Sequence, residues 1–197
     1  IFGAAWRERI TTSNRISNIG CHAGAFILGV QPLVKAGIIP AERVVSCSSL
    51  TGYSGGGKKM IAQYEATDRP AALQSPRPYA LGLTHKHLPE MRQHTGLQHA
   101  PIFHPAVAPY RQGLSVSVPL ALPDLPGAPK LADIHAALAD TYANELFVKV
   151  MPLGDDATNL DGGFFDVQAC NGTNRVDVLV TGQDEQAIVM VRVDNLG

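Results

Sequence analysis

Long apolar runs are missing from this 197-residue chain. No stretch reaches the roughly 18 apolar residues that a membrane-spanning helix needs, so no membrane role is expected. An excess of one charge is missing too: 16 Lys and Arg stand against 17 Asp and Glu, for a net charge of −1. That excludes the basic footprint of a nucleic-acid binder and a polybasic membrane patch. Cysteine is scarce, with only Cys21, Cys47 and Cys170 at wide spacing and no C-x-x-C pair. A zinc ribbon and a disulfide framework are therefore disfavoured, and a reducing, cytoplasmic setting is expected. The first residues, Ile1-Phe2-Gly3-Ala4-Ala5-Trp6-Arg7, lack an initiating Met and the build of a signal peptide. They read as a start inside a larger protein. What remains is 45% hydrophobic and 17% charged, enough to bury a core and too apolar for wholesale disorder.

Periodicity sets the expected elements. Phe26, Ile27, Val30, Leu33 and Val34 follow helical spacing, which predicts a helix over 22–36 that Pro32 should kink or shorten. A strand is expected over 43–50, a glycine-rich turn over 51–57 and a helix over 58–66. Three prolines make 67–78 a loop, and 86–95 reads as helix. Leu114, Val116, Val118 and Leu120 alternate as a strand does. Leu131, Ile134, Leu138 and Tyr142 share a helical face, and strands around 176–180 and 188–193 flank a hairpin turn at 182–185. Strands that are neighbours in sequence favour an α+β fold: a mixed, largely antiparallel sheet flanked by helices, in one domain over 1–197.

Three clusters carry chemistry. Cys21 follows Gly20 at the start of the first predicted helix, where free N–H groups and the helix dipole favour thiolate over thiol. The alternative is a buried, inert cysteine, which is the reading for Cys47 and Cys170 in their apolar, strand-like surroundings. Gly52-Tyr53-Ser54-Gly55-Gly56-Gly57-Lys58-Lys59 nearly spells the phosphate loop of nucleotide triphosphatases. It fails at Lys59, where a magnesium-binding hydroxyl is required. Its glycines still allow backbone N–H groups to converge on an anion, and Lys58 adds charge. In His85-Lys86-His87-Leu88-Pro89-Glu90, His87 and Glu90 lie one helical turn apart, so the carboxylate could orient the ring as a base. His-x-His without a third ligand at defined spacing makes a weak metal site, and no metal is expected. A cysteine nucleophile, a histidine base and an anion cradle together suit acyl transfer from a phosphorylated substrate.

These segments resemble one family in order. Ser17-Asn18-Ile19-Gly20-Cys21-His22-Ala23 resembles the Asn-Pro-Gly-Cys-Tyr-Ala-Thr segment of N-acetyl-gamma-glutamyl-phosphate reductases, with Ile19 in place of the proline and Gly24 in place of the threonine. The segments 51–58 and 85–90 resemble its Ser-Gly-Tyr-Ser-Gly-Gly-Gly-Lys loop and its His-Lys-His-x-Pro-Glu run. Pro101-Ile102-Phe103, Asn171-Gly172-Thr173-Asn174 and Asp194-Asn195-Leu196-Gly197 also fit. The resemblance implies the catalytic and dimerisation half of the shorter form of a glyceraldehyde-3-phosphate-dehydrogenase-like enzyme. Its implied reaction is the NADPH-dependent reduction of N-acetylglutamyl phosphate to the semialdehyde, with loss of phosphate, in arginine synthesis. By the same resemblance Cys21 forms the thioester, and His87 is the preferred acid/base, oriented by Glu90, with His85 as the other candidate. Tyr53, Ser54, Gly55, Gly56, Lys58 and Tyr79 are candidates to hold substrate and its phosphate, and Asn195 to approach the nicotinamide. A homo-oligomer is implied. No G-x-G-x-x-G opens a strand–turn–helix, so the NADP-binding Rossmann domain is expected outside these residues, and the fragment alone is expected to be inactive as a reductase. Three alternatives are a semialdehyde dehydrogenase for an aspartyl or aminoadipyl phosphate, a phosphate-loop nucleotide binder and a purely structural dimerisation module.

Overall fold

The computed structural model describes residues 4–196. In chain order the elements are α1 (Ala4–Thr12), α2 (Cys21–Lys35), β1 (Ser46–Gly52), α3 (Gly57–Glu65), β2 (Arg77–Pro78), α4 (Leu88–Thr95) and β3 (Ile102–Ala108). They continue as β4 (Leu114–Ala121), α5 (Leu131–Tyr142), β5 (Val148–Val150), α6 (Asp156–Asn159), β6 (Val176–Gln183) and β7 (Gln186–Val193). The strands form one seven-stranded sheet in the order β2-β3-β1-β4-β7-β6-β5. β1 runs parallel to β3 and β5 to β6; the other four junctions are antiparallel. This is the mixed, largely antiparallel α+β sheet that the sequence predicts.

One face of the sheet is packed by helices. Phe26, Ile27, Val30 and Leu33 of α2 and Ile134 and Leu138 of α5 bury themselves against Val116, Val118, Val178, Val180, Val189 and Val191. Each such side chain stabilises the fold by about 1.5–3 kcal/mol relative to exposure. Gly29 lets α2 settle onto the sheet, since a Cβ there would lie 3.0 Å from Val191. Pro32 does not break α2; the Leu28 carbonyl, which its missing N–H would leave unpaired, accepts the Tyr142 hydroxyl at 2.6 Å instead. The other face is covered at one end, where Asp177 pairs with Arg192 and the Arg192 guanidinium lies over Phe165. Elsewhere that face presents Leu50, Ile102 and Ile188 to the surface.

Several elements differ from expectation. β3 is not evident from the sequence, because Pro105 interrupts its pattern; the Pro105 carbonyl accepts Tyr79 N–H, so the residue's polar backbone faces the β2 side just past the end of that two-residue strand, and the missing N–H takes no bond from β1. Pro119 sits in β4 beyond the last residue paired with β1, where its missing N–H costs no ladder bond on that side. Residues 67–78 are not wholly loop: they hold a 3₁₀ turn at Ala71–Gln74 and the two-residue β2. Cys47 lies in β1 as expected, and burial pushes its thiol up to about 12. Cys170 is buried but stands in a turn, not in a strand.

Candidate active site

Helix α2 begins at Cys21 with Gly20 as its extended N-cap, and no side chain caps its free N–H groups. Three features fix this entry. The Gly20 N–H donates to Glu90 Oε2 at 3.1 Å, the imidazole of His87 covers the Gly20 Cα, and a Cβ at position 20 would lie 2.0 Å from His87 Nε2. Only glycine fits there. Glu90 therefore holds the cysteine loop through its backbone. It does not make the orienting hydrogen bond to His87 that the spacing suggests; His87 Nδ1 is buried without a partner, and Glu90 acts on that ring through its charge alone. Burial, then His85, lower His87 to about 4.

Cys21 itself is half-buried. Burial raises its thiol above the ordinary value, while N–H groups of His22 and Cys21 and the Lys86 cation pull the other way. The helix start does favour thiolate, but desolvation outweighs it, so the sequence-based expectation of a readily ionised thiol is corrected in sign.

A cleft of about 530 Å³ opens beside Cys21, lined among others by Gly55, Gly56, Tyr79, His85, His87 and Asn195. The lining includes two residues that sequence reasoning passed over. Arg77, on β2, joins Lys86 as a cation, and the lining contains no carboxylate. His22 is the other. The sequence alone assigns it no role, yet it is buried with Nδ1 2.8 Å from Ser49 Oγ and Nε2 2.9 Å from the Tyr79 hydroxyl. Tyr79 reaches His85 Nε2 at 3.5 Å, and His85 Nδ1 accepts the His87 N–H at 3.1 Å. The turn between Tyr79 and His85 holds Ala80 and Leu83 at positive φ, a strained course of the kind that persists where surrounding packing over-determines it.

The glycine-rich segment divides. Gly55 and Gly56 face the cleft. Tyr53 stacks on Tyr64, with ring centroids 4.7 Å apart, and Ser54 is buried and accepts from Asn195 Nδ2 at 2.9 Å. Lys58 is exposed in α3 and is not part of the cleft lining. Tyr53, Ser54 and Lys58 are thus supports or surface, not the walls of an anion site. The segment also fails as a phosphate loop: residues 53–56 are wound into a 3₁₀ turn, and Gly52 is pressed against the Arg111 carbonyl, where a Cβ would lie at 2.5 Å. Asn195 lines the cleft, but both ends of its amide are engaged, Oδ1 by Gly113 N–H at 2.8 Å and Nδ2 by Ser54. A second cleft of about 590 Å³ is lined by Gly24, Thr173 and Arg175, and it shares Gly20, Cys21 and Asn195 with the first. Among the described residues no group of three or more His, Cys, Asp or Glu is arranged to hold a metal ion.

Residues 21–195 match the semialdehyde dehydrogenase dimerisation domain, and the chain belongs to that family. Within it, the chain is 41% identical over 97% of its length to N-acetyl-gamma-glutamyl-phosphate reductase 2 of Nostoc sp., and 41% identical over 96% to N-acetyl-gamma-glutamyl-phosphate reductase of Burkholderia cenocepacia. It spans 61% and 60% of those relatives. Among solved structures, aspartate semialdehyde dehydrogenase II from Vibrio cholerae superposes with a TM-score of 0.68 at 15% identity, over 96% of this chain and 59% of that one.

Proposed function

We propose that this chain is the catalytic and dimerisation part of an NADPH-dependent N-acetyl-gamma-glutamyl-phosphate reductase of arginine biosynthesis, working in the cytoplasm. The observation that carries the reading is the cleft beside Cys21: a nucleophile at a helix start, two cations and no carboxylate among the lining residues. Such a cleft suits an anionic acyl phosphate, and the relatives that match nearly the whole chain bear that reductase's name.

In the proposed reaction the Cys21 thiol gives its proton to His87, whose imidazole packs against Gly20 one residue away. The sulfur attacks the acyl carbon, the C–O bond to phosphate breaks, and the phosphate leaves with the electron pair and takes that proton, leaving a thioester on Cys21. Arg77 and Lys86 neutralise the departing charge. The second cleft suits the nicotinamide end of the cofactor: it too is lined by Cys21, and its Gly24 adds no side chain to the space. NADPH would supply the hydride that reduces the thioester. No glycine fingerprint for its pyrophosphate occurs in these residues, so the rest of the dinucleotide would be held by another part of the enzyme. The exposed sheet face with Leu50, Ile102 and Ile188 is the surface proposed to meet a second copy.

The test uses the full-length enzyme with N-acetylglutamyl phosphate and NADPH, following nicotinamide absorbance and phosphate release. Substrate-dependent oxidation that Cys21→Ser abolishes supports the reading. Oxidation with aspartyl phosphate and none with N-acetylglutamyl phosphate would replace it with the related dehydrogenase. His87→Asn and His85→Asn in the same assay separate the roles: the thiol step should suffer about 10²-fold or more in His87→Asn. Equal, small losses would remove the base from this segment.

A further inference from the structure

The contacts around Tyr79 form one chain whose proton directions can be worked out from a single fixed donor. The backbone N–H of His87 can only donate, so His85 Nδ1 accepts it at 3.1 Å. A neutral His85 then carries its proton on Nε2, facing the Tyr79 oxygen at 3.5 Å. With that oxygen accepting, the Tyr79 hydroxyl donates onward to His22 Nε2 at 2.9 Å. His22 must then hold its own proton on Nδ1, and it donates to Ser49 Oγ at 2.8 Å. His22 and Ser49 are each only 3% exposed, and water does not compete for these bonds.

We propose that His22, backed by Ser49 on β1, is a positioning residue: it accepts the hydrogen bond of the Tyr79 hydroxyl, so that the Tyr79 oxygen faces His85 as an acceptor and holds the His85 Nε2–H at the cleft wall, loosely enough at 3.5 Å to be shared with a substrate oxygen. This rests on the reductase reading for its consequence. A neutral Nε2–H held in place can stabilise the oxygen that gathers charge when Cys21 attacks the acyl carbon, without giving its proton away. His22 suits the task because it can be charged only at great cost. Burial, then the neighbouring His87, His85 and Lys86, lower it to about 3, so it stays a one-donor, one-acceptor link throughout the physiological range. The arrangement spans three separate parts of the fold: α2 for His22, β1 for Ser49, and the segment between β2 and α4 for Tyr79 and His85.

The experiment is ¹⁵N-histidine NMR of the full-length enzyme, in which long-range couplings report the tautomer of each ring, combined with steady-state kinetics of variants. His22 is expected as the Nδ1–H tautomer and His85 as Nε2–H, both single and neutral at pH 7. His22→Phe should lower kcat about tenfold or more with KM within about twofold, as a misdirected hydroxyl would. His22→Gln, whose amide oxygen can stand in for Nε2, should recover part of that loss. Ser49→Ala, which removes one buried oxygen and little volume, should leave the fold intact and convert His22 to mixed tautomers. His22 found as Nε2–H, or a Ser49→Ala enzyme with unchanged His22 signals and unchanged kcat, would overturn the proposal. An enzyme with the expected tautomers that fails to reduce N-acetylglutamyl phosphate would instead overturn the function reading and leave the proton directions standing.

Discussion

Replacing Gly20 by alanine adds one methyl group at the most crowded point of the cysteine loop. The new Cβ would stand 2.0, 2.4 and 2.5 Å from Nε2, Cδ2 and Cε1 of His87. Bringing the nearest of these out to an ordinary contact of about 3.4 Å requires a ring movement of about 1.4 Å. The ring has little room for it: His87 is buried, the His85 centroid lies at 4.7 Å and that of His22 at 5.5 Å, and His22 is itself tied to Ser49 and Tyr79. The alternative is that the backbone yields, which stretches the 3.1 Å bond from Gly20 N–H to Glu90 and shifts Cys21. Overpacking of this size costs about 1–3 kcal/mol of stability. A displacement near 1 Å at the reacting group costs about 10²-fold in rate. In the full-length enzyme, Gly20→Ala is therefore expected to unfold several degrees earlier by calorimetry and to lose about 10²-fold in kcat, with Cys21 alkylated at an altered rate. A variant within twofold of wild-type kcat and with an unchanged Tm would refute the reasoning, because it would mean that the His87 ring is free to leave.

Three further predictions follow from the same geometry. Because burial raises the Cys21 thiol above its ordinary value of 9.0, iodoacetamide labelling of Cys21 should still be accelerating as pH rises through 9, and buried Cys47 and Cys170 should label more slowly throughout. A labelling rate that is flat between pH 6 and 8 would mean that the helix start wins over desolvation. Arg77→Ala and Lys86→Ala should each raise KM for the acyl phosphate about 10–100-fold, the worth of one hydrogen bond to a charged group, with little change in Tm; KM values within twofold of wild type in both would remove the cations from substrate binding. Folded His22 and His87 titrate at about 3 and about 4, below the ordinary histidine value of 6.5, so the unfolded chain takes up protons first as pH falls. Stability should then decline from pH 6.5 downward by about 1.4 kcal/mol per pH unit per histidine, and a Tm that stays constant between pH 7 and 5 would contradict buried neutral rings.

What the chain alone determined is what short-range periodicity can encode. The apolar faces of α2 and α5 repeat at helical spacing, β4, β6 and β7 alternate, and β6 and β7 meet in a hairpin, so each element declares its type within its own residues. Cys21 at a helix start after glycine was legible for the same reason: caps are local. β3 was hidden because its Pro105 argues against a strand, and only the tertiary structure shows that this residue faces the side where the two-residue β2 has already ended. The site was legible only in pieces. Lys58 stands next to the cleft-lining glycines in sequence, yet it sits on the exposed surface of α3, outside the cleft. Glu90 is one turn from His87, yet its carboxylate is used 70 positions away, on Gly20. His22 gave no signal, because its partners lie 27 and 57 positions distant and are brought to it only when α2 packs on β1 and β2 joins the sheet edge. Residue spacing reports neighbours along the chain, whereas burial, pKa and hydrogen-bond direction depend on what the packed sheet places opposite each side chain.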